Sequence, residues 1–220
     1  MAKIIIFGVQ DFASLAHFYF KHDSAHEVVA FSVNAEYLPE GGTFEGLPVA
    51  AFEEIERVYP AAEFQFFAPM SHRQMNRLRA QVYQQIKEKG YRLISYVSSK
   101  ATVFPDTPIG DNCFILEDNT IQPYVAIGHN VVLWSGNHIG HHSVIKDHVL
   151  FTSHVVLSGH CTVEPYSFFG VNATIRDGVR IAEGSLVAMA AVITRDTEPW
   201  GVYKGSPAKK SDVLSKDLDF

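Results

Sequence analysis

Of the eleven histidines in this chain of 220 residues, seven lie between 129 and 160. His142, His148, His154 and His160 fall six residues apart, and His141 stands beside the first of them, outside the series. Imidazole changes protonation near neutral pH, so such a concentration offers two chemistries: proton transfer to and from a reacting group, or ligation of a transition metal. Which one applies depends on how the chain places these rings, and the sequence around them is unusually informative about that.

Taking every sixth residue from Ile109 gives Ile115, Ile121, Ile127, Leu133, Ile139, Ile145, Phe151, Leu157, Val163, Phe169, Ile175, Ile181, Val187 and Ile193. At about one apolar residue in three, a run this long arises by chance with a probability on the order of 10⁻⁷. Four places after each large residue stands a small or β-branched one in most repeats, among them Cys113, Val125, Ser143, Val155, Cys161, Ser167, Ala173 and Ala191. One large and one small inward position per six residues is the pattern of a parallel β-helix, whose triangular coil takes three hexapeptides. Residues eighteen apart then stack at a strand spacing of about 4.8 Å. The series His142, His148 and His154 is thereby spread over three faces of one coil and points apart, while His142 and His160 stack. These histidines are expected to be exposed corner residues, and no metal is expected.

Before the repeats the grammar differs. Strand-like runs at Lys3 to Phe7, Glu27 to Val33, Phe64 to Ala68 and Arg92 to Val97 alternate with helical patterns at Phe12 to Lys21 and Arg73 to Lys89, the latter stopped by Gly90. This predicts an α/β N-terminal domain, a small Rossmann-like parallel sheet, over residues 1–98, followed by the β-helix over 99–220. Phe7-Gly8-Val9-Gln10-Asp11 forms a strand-to-helix turn of the kind that cradles phosphate, without the G-x-G-x-x-G spacing of a dinucleotide redox fold.

The net charge of −6 and a pI near 6.0 oppose a nucleic-acid binder, which needs a basic face. Two cysteines, Cys113 and Cys161, are too few for a disulfide framework and are read as reduced core thiols. No apolar run approaches the roughly 20 residues of a membrane span, and Met1 leads directly into a strand; the expectation is a cytoplasmic protein with no membrane association.

The order of these features resembles the hexapeptide-repeat sugar O-/N-acyltransferases, the branch of sialic acid O-acetyltransferases and of bacillosamine and perosamine N-acetyltransferases. The likeness is carried by the first strand and its Gly turn, Phe44-Glu45-Gly46-Leu47-Pro48-Val49, Asn76-Arg77-Leu78-Arg79, the repeats, and the closing Gly205-Ser206-Pro207-Ala208-Lys209. The resemblance implies a left-handed parallel β-helix, a homotrimer, acetyl-CoA as co-substrate in the cleft between neighbouring helices, and a nucleotide-linked amino sugar on the N-terminal domain, for surface polysaccharide synthesis.

It also assigns roles. The family's general base lies in a Glu-His-Asp/Glu segment that aligns with Gly140-His141-His142, which makes His141 the candidate base and places His142 where an acidic residue usually stands. Its oxyanion donor, a backbone N–H, aligns with Gly159. Gly159, Gly170, Ala188 and Lys209 are implied for CoA, and Gly8, Gln10, Asp11 and Asn34 for the nucleotide sugar. Asp147 is the carboxylate nearest to His141 in sequence. An Asn common in the family before the base is Trp134 here, to which no role transfers. Two rivals remain: a β-helical trimer that has lost catalysis, and a metal-binding one of the γ-carbonic-anhydrase kind.

Overall fold

The computed structural model describes residues 1–218 and divides by internal contacts into two units, Met1–Ser71 with Gln81–Tyr96, and His72–Ala80 with Val97–Phe220.

In the first unit, β1 (Lys3–Phe7) leads through Gly8 into α1 (Asp11–His22), and β2 (Glu27–Val33) pairs with β1 in parallel. The hairpin β3 (Thr43–Phe44) and β4 (Leu47–Ala51), the short helix α2 (Ile55–Val58) and β5 (Phe64–Phe67) follow. The sheet order is β3-β4-β2-β1-β5, with β4, β2, β1 and β5 parallel. Ile4, Ile5, Ile6, Phe31, Phe66 and Phe67 are fully buried, as near-continuous apolar strands of a parallel sheet require. Of the run Arg92 to Val97 only Tyr96–Val97 forms a strand, although Leu93 bridges to Phe66.

The predicted helix from Arg73 begins instead at Arg77, as α3 (Arg77–Glu88). Gln74, Met75 and Asn76 hold φ of 54°, 51° and 63°, and three successive left-handed residues cannot belong to a right-handed helix. The turn is held by the β-helix: the Asn76 side-chain amide donates to the carbonyls of Tyr166 and Ser167, at 3.1 and 3.3 Å. Arg79, fully buried, spreads its guanidinium over the Asn130 carbonyl, the Asn130 and Asn76 side-chain oxygens, and the carbonyls of His148 and Val149. Burial pushes its pKa down to about 9, still high enough to leave it charged at neutral pH.

The second unit is the expected stack of parallel coils. Three ladders of two-residue strands run through Ile115, Leu133, Phe151, Phe169 and Val187; through Ile121, Ile139, Leu157, Ile175 and Ile193; and through Ile127, Ile145, Val163 and Ile181. Every predicted large residue from Ile115 to Ile193 is buried, with Ile109 half-buried. The strand Gly201–Lys204 extends the first ladder and pairs antiparallel with Lys209–Leu214, a closing hairpin that the repeat pattern does not announce.

The corners explain the histidine series. From Asn112 to Ala190, the fourth residue of each hexapeptide has φ between 55° and 78°. Asn, Asp, His and Gly tolerate this left-handed region best, and they fill most of these places. His142, His148, His154 and His160 are thus corner residues, as expected; His142, His154 and His160 are exposed, whereas His148 is half-buried.

His148 is the most buried of the four in electrostatic effect. Burial first, and then the neighbouring Arg79 guanidinium, push its imidazole down from 6.5 to about 4. Unfolded chain binds a proton near pH 6.5 that folded chain refuses until about pH 4, so above 6.5 there is no penalty and between 6.5 and 4 stability falls with pH. His148→Asn keeps a residue suited to the corner and removes the titration. Its melting temperature should decline less than the parent's between pH 7 and 4.5; parallel declines would mean that His148 ionises equally in both states.

Candidate active site

His141 sits at the edge of the prism between the ladder of Ile139 and that of Ile145. Its N–H donates to the Gln122 side-chain oxygen at 2.9 Å, and its carbonyl accepts from His160 N–H at 2.8 Å, which ties the corner to the coils on either side. Gly140 lets the chain turn here without a side chain: a Cβ would stand 2.5 Å from the Gly159 nitrogen.

Gly159 lies one coil on, as its spacing requires, and the imidazole covers it. A Cβ at Gly159 would be 2.8 Å from Cε1 and 3.0 Å from Nε2 of His141, and 3.1 Å from Oδ1 of Asp177. The ring nitrogen Nε2 and the Asp177 carboxylate therefore approach the same point on the glycine. At the same place in two other repeats the amide is already engaged, His129 N–H by Asp147 Oδ1 at 2.7 Å and His141 N–H by Gln122. Among the described residues no acceptor is recorded for the Gly159 N–H.

The other ring nitrogen of His141, Nδ1, meets Nδ1 of His142 at 3.0 Å, one donating and the other accepting. His142 in turn stacks on His160, with ring centroids 4.9 Å apart and an angle of 18°, and packs against Tyr124 at 4.6 Å with the rings tilted by 36°. The column Tyr124, His142, His160 thus holds the partner of His141 in place. All three histidines are exposed.

Asp147, the nearest carboxylate in sequence, does not reach His141. It lies at the next edge, where it accepts from His129, because six residues carry the chain round one corner. The carboxylate close to the site is Asp177, thirty-six residues on and so two coils along the same edge; that arithmetic was available in the sequence. Gln122, nineteen residues before His141, is one place off a whole coil, so the same arithmetic does not find it.

Gly170 and Ala188 stack on one another at a different edge, between the ladder of Phe169 and that of Ile175, and so do not continue the column of Gly159. Gly170 is closely backed by the Met189 nitrogen, 2.4 Å from where its Cβ would be. Lys209 is exposed at the start of the closing strand.

In the first unit, Gly8 has φ 110° and donates to Ser32 O at 2.7 Å, so the turn Gly8–Gln10 and the loop at Asn34 leave the same, carboxyl end of the sheet. Gln10 caps α1 and Asp11 opens it. β1 is followed by β2 on one side and flanked by β5 on the other, which is the switch point where open α/β sheets bind ligands.

No protein-family model matches the chain. The acyl-[acyl-carrier-protein]–UDP-N-acetylglucosamine O-acyltransferase of Helicobacter pylori is 30% identical over 160 residues, 57% of this chain and 59% of that protein. A mitochondrial γ carbonic anhydrase of Arabidopsis thaliana is 33% identical over 132 residues, 52% of this chain and 47% of that one. The chain spans about half the length of the relatives it matches. Among solved structures, a mutant perosamine N-acetyltransferase from Caulobacter crescentus in complex with CoA and GDP-perosamine superposes with a TM-score of 0.86 at 20% identity, over 97% of this chain and 98% of that one. The acetyltransferase domain of PglB from Neisseria gonorrhoeae in complex with acetyl coenzyme A gives 0.81 at 18% identity, over 95% and 98%. At these identities the likeness establishes the fold. Together these neighbours fit the hexapeptide-repeat sugar acyltransferase family that the sequence resembles.

Gly159 has no left-handed backbone to lose, so Gly159→Ala is strained only by the His141 ring and the Asp177 carboxylate it meets. The substitution should displace the His141 imidazole, seen as shifted His141 ring resonances by NMR, with little change in melting temperature. Unmoved resonances would show that the ring does not rest on Gly159.

Proposed function

We propose that this protein is an acetyl-CoA-dependent acetyltransferase that acts on an amino, or hydroxyl, group of a nucleotide-linked sugar in surface polysaccharide synthesis. The observation that carries the reading is the pairing of His141 Nε2 with the Gly159 N–H on one edge of the prism.

Acyl transfer from a thioester asks for a proton acceptor beside the nucleophile, a donor for the oxyanion and close placement of both substrates. The acceptor's nitrogen or oxygen attacks the thioester carbonyl and His141 Nε2 takes its proton. The Gly159 N–H donates to the oxyanion, the C–S bond breaks, and the proton passes to the CoA thiolate. His142, through the Nδ1 contact, sets the tautomer of His141.

The same reading makes the β-helix left-handed and the N-terminal sheet a Rossmann-like nucleotide-sugar domain. The first turn of α1, after Gly8 and Gln10, would face the diphosphate with the positive end of the helix. Asp11 and Asn34 would bind sugar or nucleoside hydroxyls. Gly170 and Ala188 stand at another edge from His141, so a CoA lying between two neighbouring copies would meet the His141 corner of one and the Gly170 corner of the next. Lys209 would add charge for the CoA phosphates. That arrangement is a cytoplasmic homotrimer, and sedimentation at micromolar concentration should give three times 24.5 kDa. A monomer with full activity would remove the site from between copies.

Thiol release from acetyl-CoA with a panel of nucleotide amino sugars tests the activity. His141→Asn should lower kcat by roughly 10²- to 10⁴-fold, with substrate binding little changed. Unchanged kcat from pH 6 to 9 would remove His141 as the base.

A further inference from the structure

The corner holding His141 carries more imidazole than proton transfer requires. One ring nitrogen from each of His141, His142 and His160 lies within 4.8 Å of the others, and all three rings are exposed. The His141 and His160 rings meet edge to face, with centroids 4.9 Å apart, and His142 stacks on His160 at the same distance. A tetrahedral zinc ion with Zn–N bonds of about 2.0–2.1 Å sets its nitrogens roughly 3.3 Å apart. The Nδ1 atoms of His141 and His142 are already 3.0 Å apart, and His160 closes the third side after small side-chain rotations. Three imidazoles with a fourth position open to solvent suit zinc, copper or nickel rather than magnesium or calcium.

We infer that this corner binds one divalent transition-metal ion per chain through His141, His142 and His160, and that the ion switches off the base. The switch rests on the proposed role of His141; the metal site does not. The reason lies in which nitrogen faces what. Nδ1 of His141 faces His142, whereas Nε2 faces Gly159. In the metal-free pair of neutral rings, one Nδ1–H donates to the other Nδ1. A metal taking both Nδ1 atoms displaces that proton, which returns to Nε2 of its own ring by tautomerisation. No bond to carbon changes and no oxidant is needed. His141 then carries Nε2–H toward Gly159 and has no lone pair there for a substrate proton. The ion is therefore an inhibitor and not a cofactor.

His160 is the member of the metal set with no proposed proton-transfer or oxyanion role, although its ring backs His142, and Asn suits its left-handed corner (φ 56°). Isothermal titration of zinc chloride into the full, untagged chain should give one ion per chain. His160→Asn should weaken binding at least about tenfold, equivalent to 1.4 kcal/mol, and its own metal-free transfer rate is the reference against which its inhibition by zinc is read. Zinc should stop transfer by the parent over the concentration range in which it binds, EDTA should restore it, and His160→Asn should need correspondingly more zinc. Absence of stoichiometric binding, or binding unaltered by His160→Asn, would overturn the site. Stoichiometric zinc with transfer undiminished would overturn the switch. A chain that binds zinc through these residues yet acetylates no sugar nucleotide would leave the metal site standing and remove the proposed function.

Discussion

The whole second unit depends on one backbone constraint: the chain must enter the left-handed region once in every six residues to close a triangular coil. From Asn112 to Ala190 it does so without omission. For residues other than glycine this conformation costs of order 1 kcal/mol each, which the stacked interior offsets by burying one large and one small side chain per hexapeptide. Asn, Asp and His reduce the local cost at these places, and a series of corner histidines follows from backbone geometry. The same closure puts residues eighteen apart in register at strand spacing. Chemistry can then be assembled along an edge from residues far apart in sequence, as with Gln122, His141, Gly159 and Asp177.

Arg79 shows how the non-repeating segment is joined to this lattice. A buried guanidinium normally needs a carboxylate, yet here its partners are carbonyl and amide oxygens of Asn76, Asn130, His148 and Val149. Removing the side chain would strand several buried acceptors at once, each at about 1–3 kcal/mol. The arrangement exists because Gln74, Met75 and Asn76 turn left-handed and aim the first turn of α3 at the coils. It also adds to the burial that disfavours the proton of His148, by placing a positive charge beside the ring.

Periodicity made the β-helix legible, down to the inward residues, the corner histidines and the placement of Gly159 beneath His141, because an uninterrupted register turns sequence distance into position. The strands at Lys3 to Phe7 and Glu27 to Val33 were equally plain from their apolar runs. What failed was local reasoning applied where tertiary contacts decide. A helical pattern from Arg73 gave no warning of three left-handed residues, and Asp147 looked near His141 because it is near in sequence, although one hexapeptide moves it round a corner. Gly170 and Ala188 are correctly stacked on each other but stand at another edge from Gly159, since eleven residues are not a whole coil. The hairpin that closes the C-terminal end carries no hexapeptide signature at all.

The replacement of the usual acidic neighbour by His142 has a chemical consequence. A carboxylate beside an imidazole would both fix its tautomer and offer negative charge to the imidazolium that forms as the nucleophile loses its proton. His142 Nδ1 can do the first, because a lone pair accepts an N–H as well as an oxygen does, and its position is held by Tyr124 and His160. It cannot do the second, since an imidazole brings no negative charge, and a protonated ring would repel the developing charge and lose the lone pair that orients His141. A base of this kind is best matched to an acceptor that attacks with its own lone pair and sheds a proton only after the new bond has formed. An unprotonated amine behaves in that way, whereas a sugar hydroxyl must be relieved of its proton as it attacks. On the proposed role of His141, the His141–His142 pair would therefore favour transfer to nitrogen over transfer to oxygen.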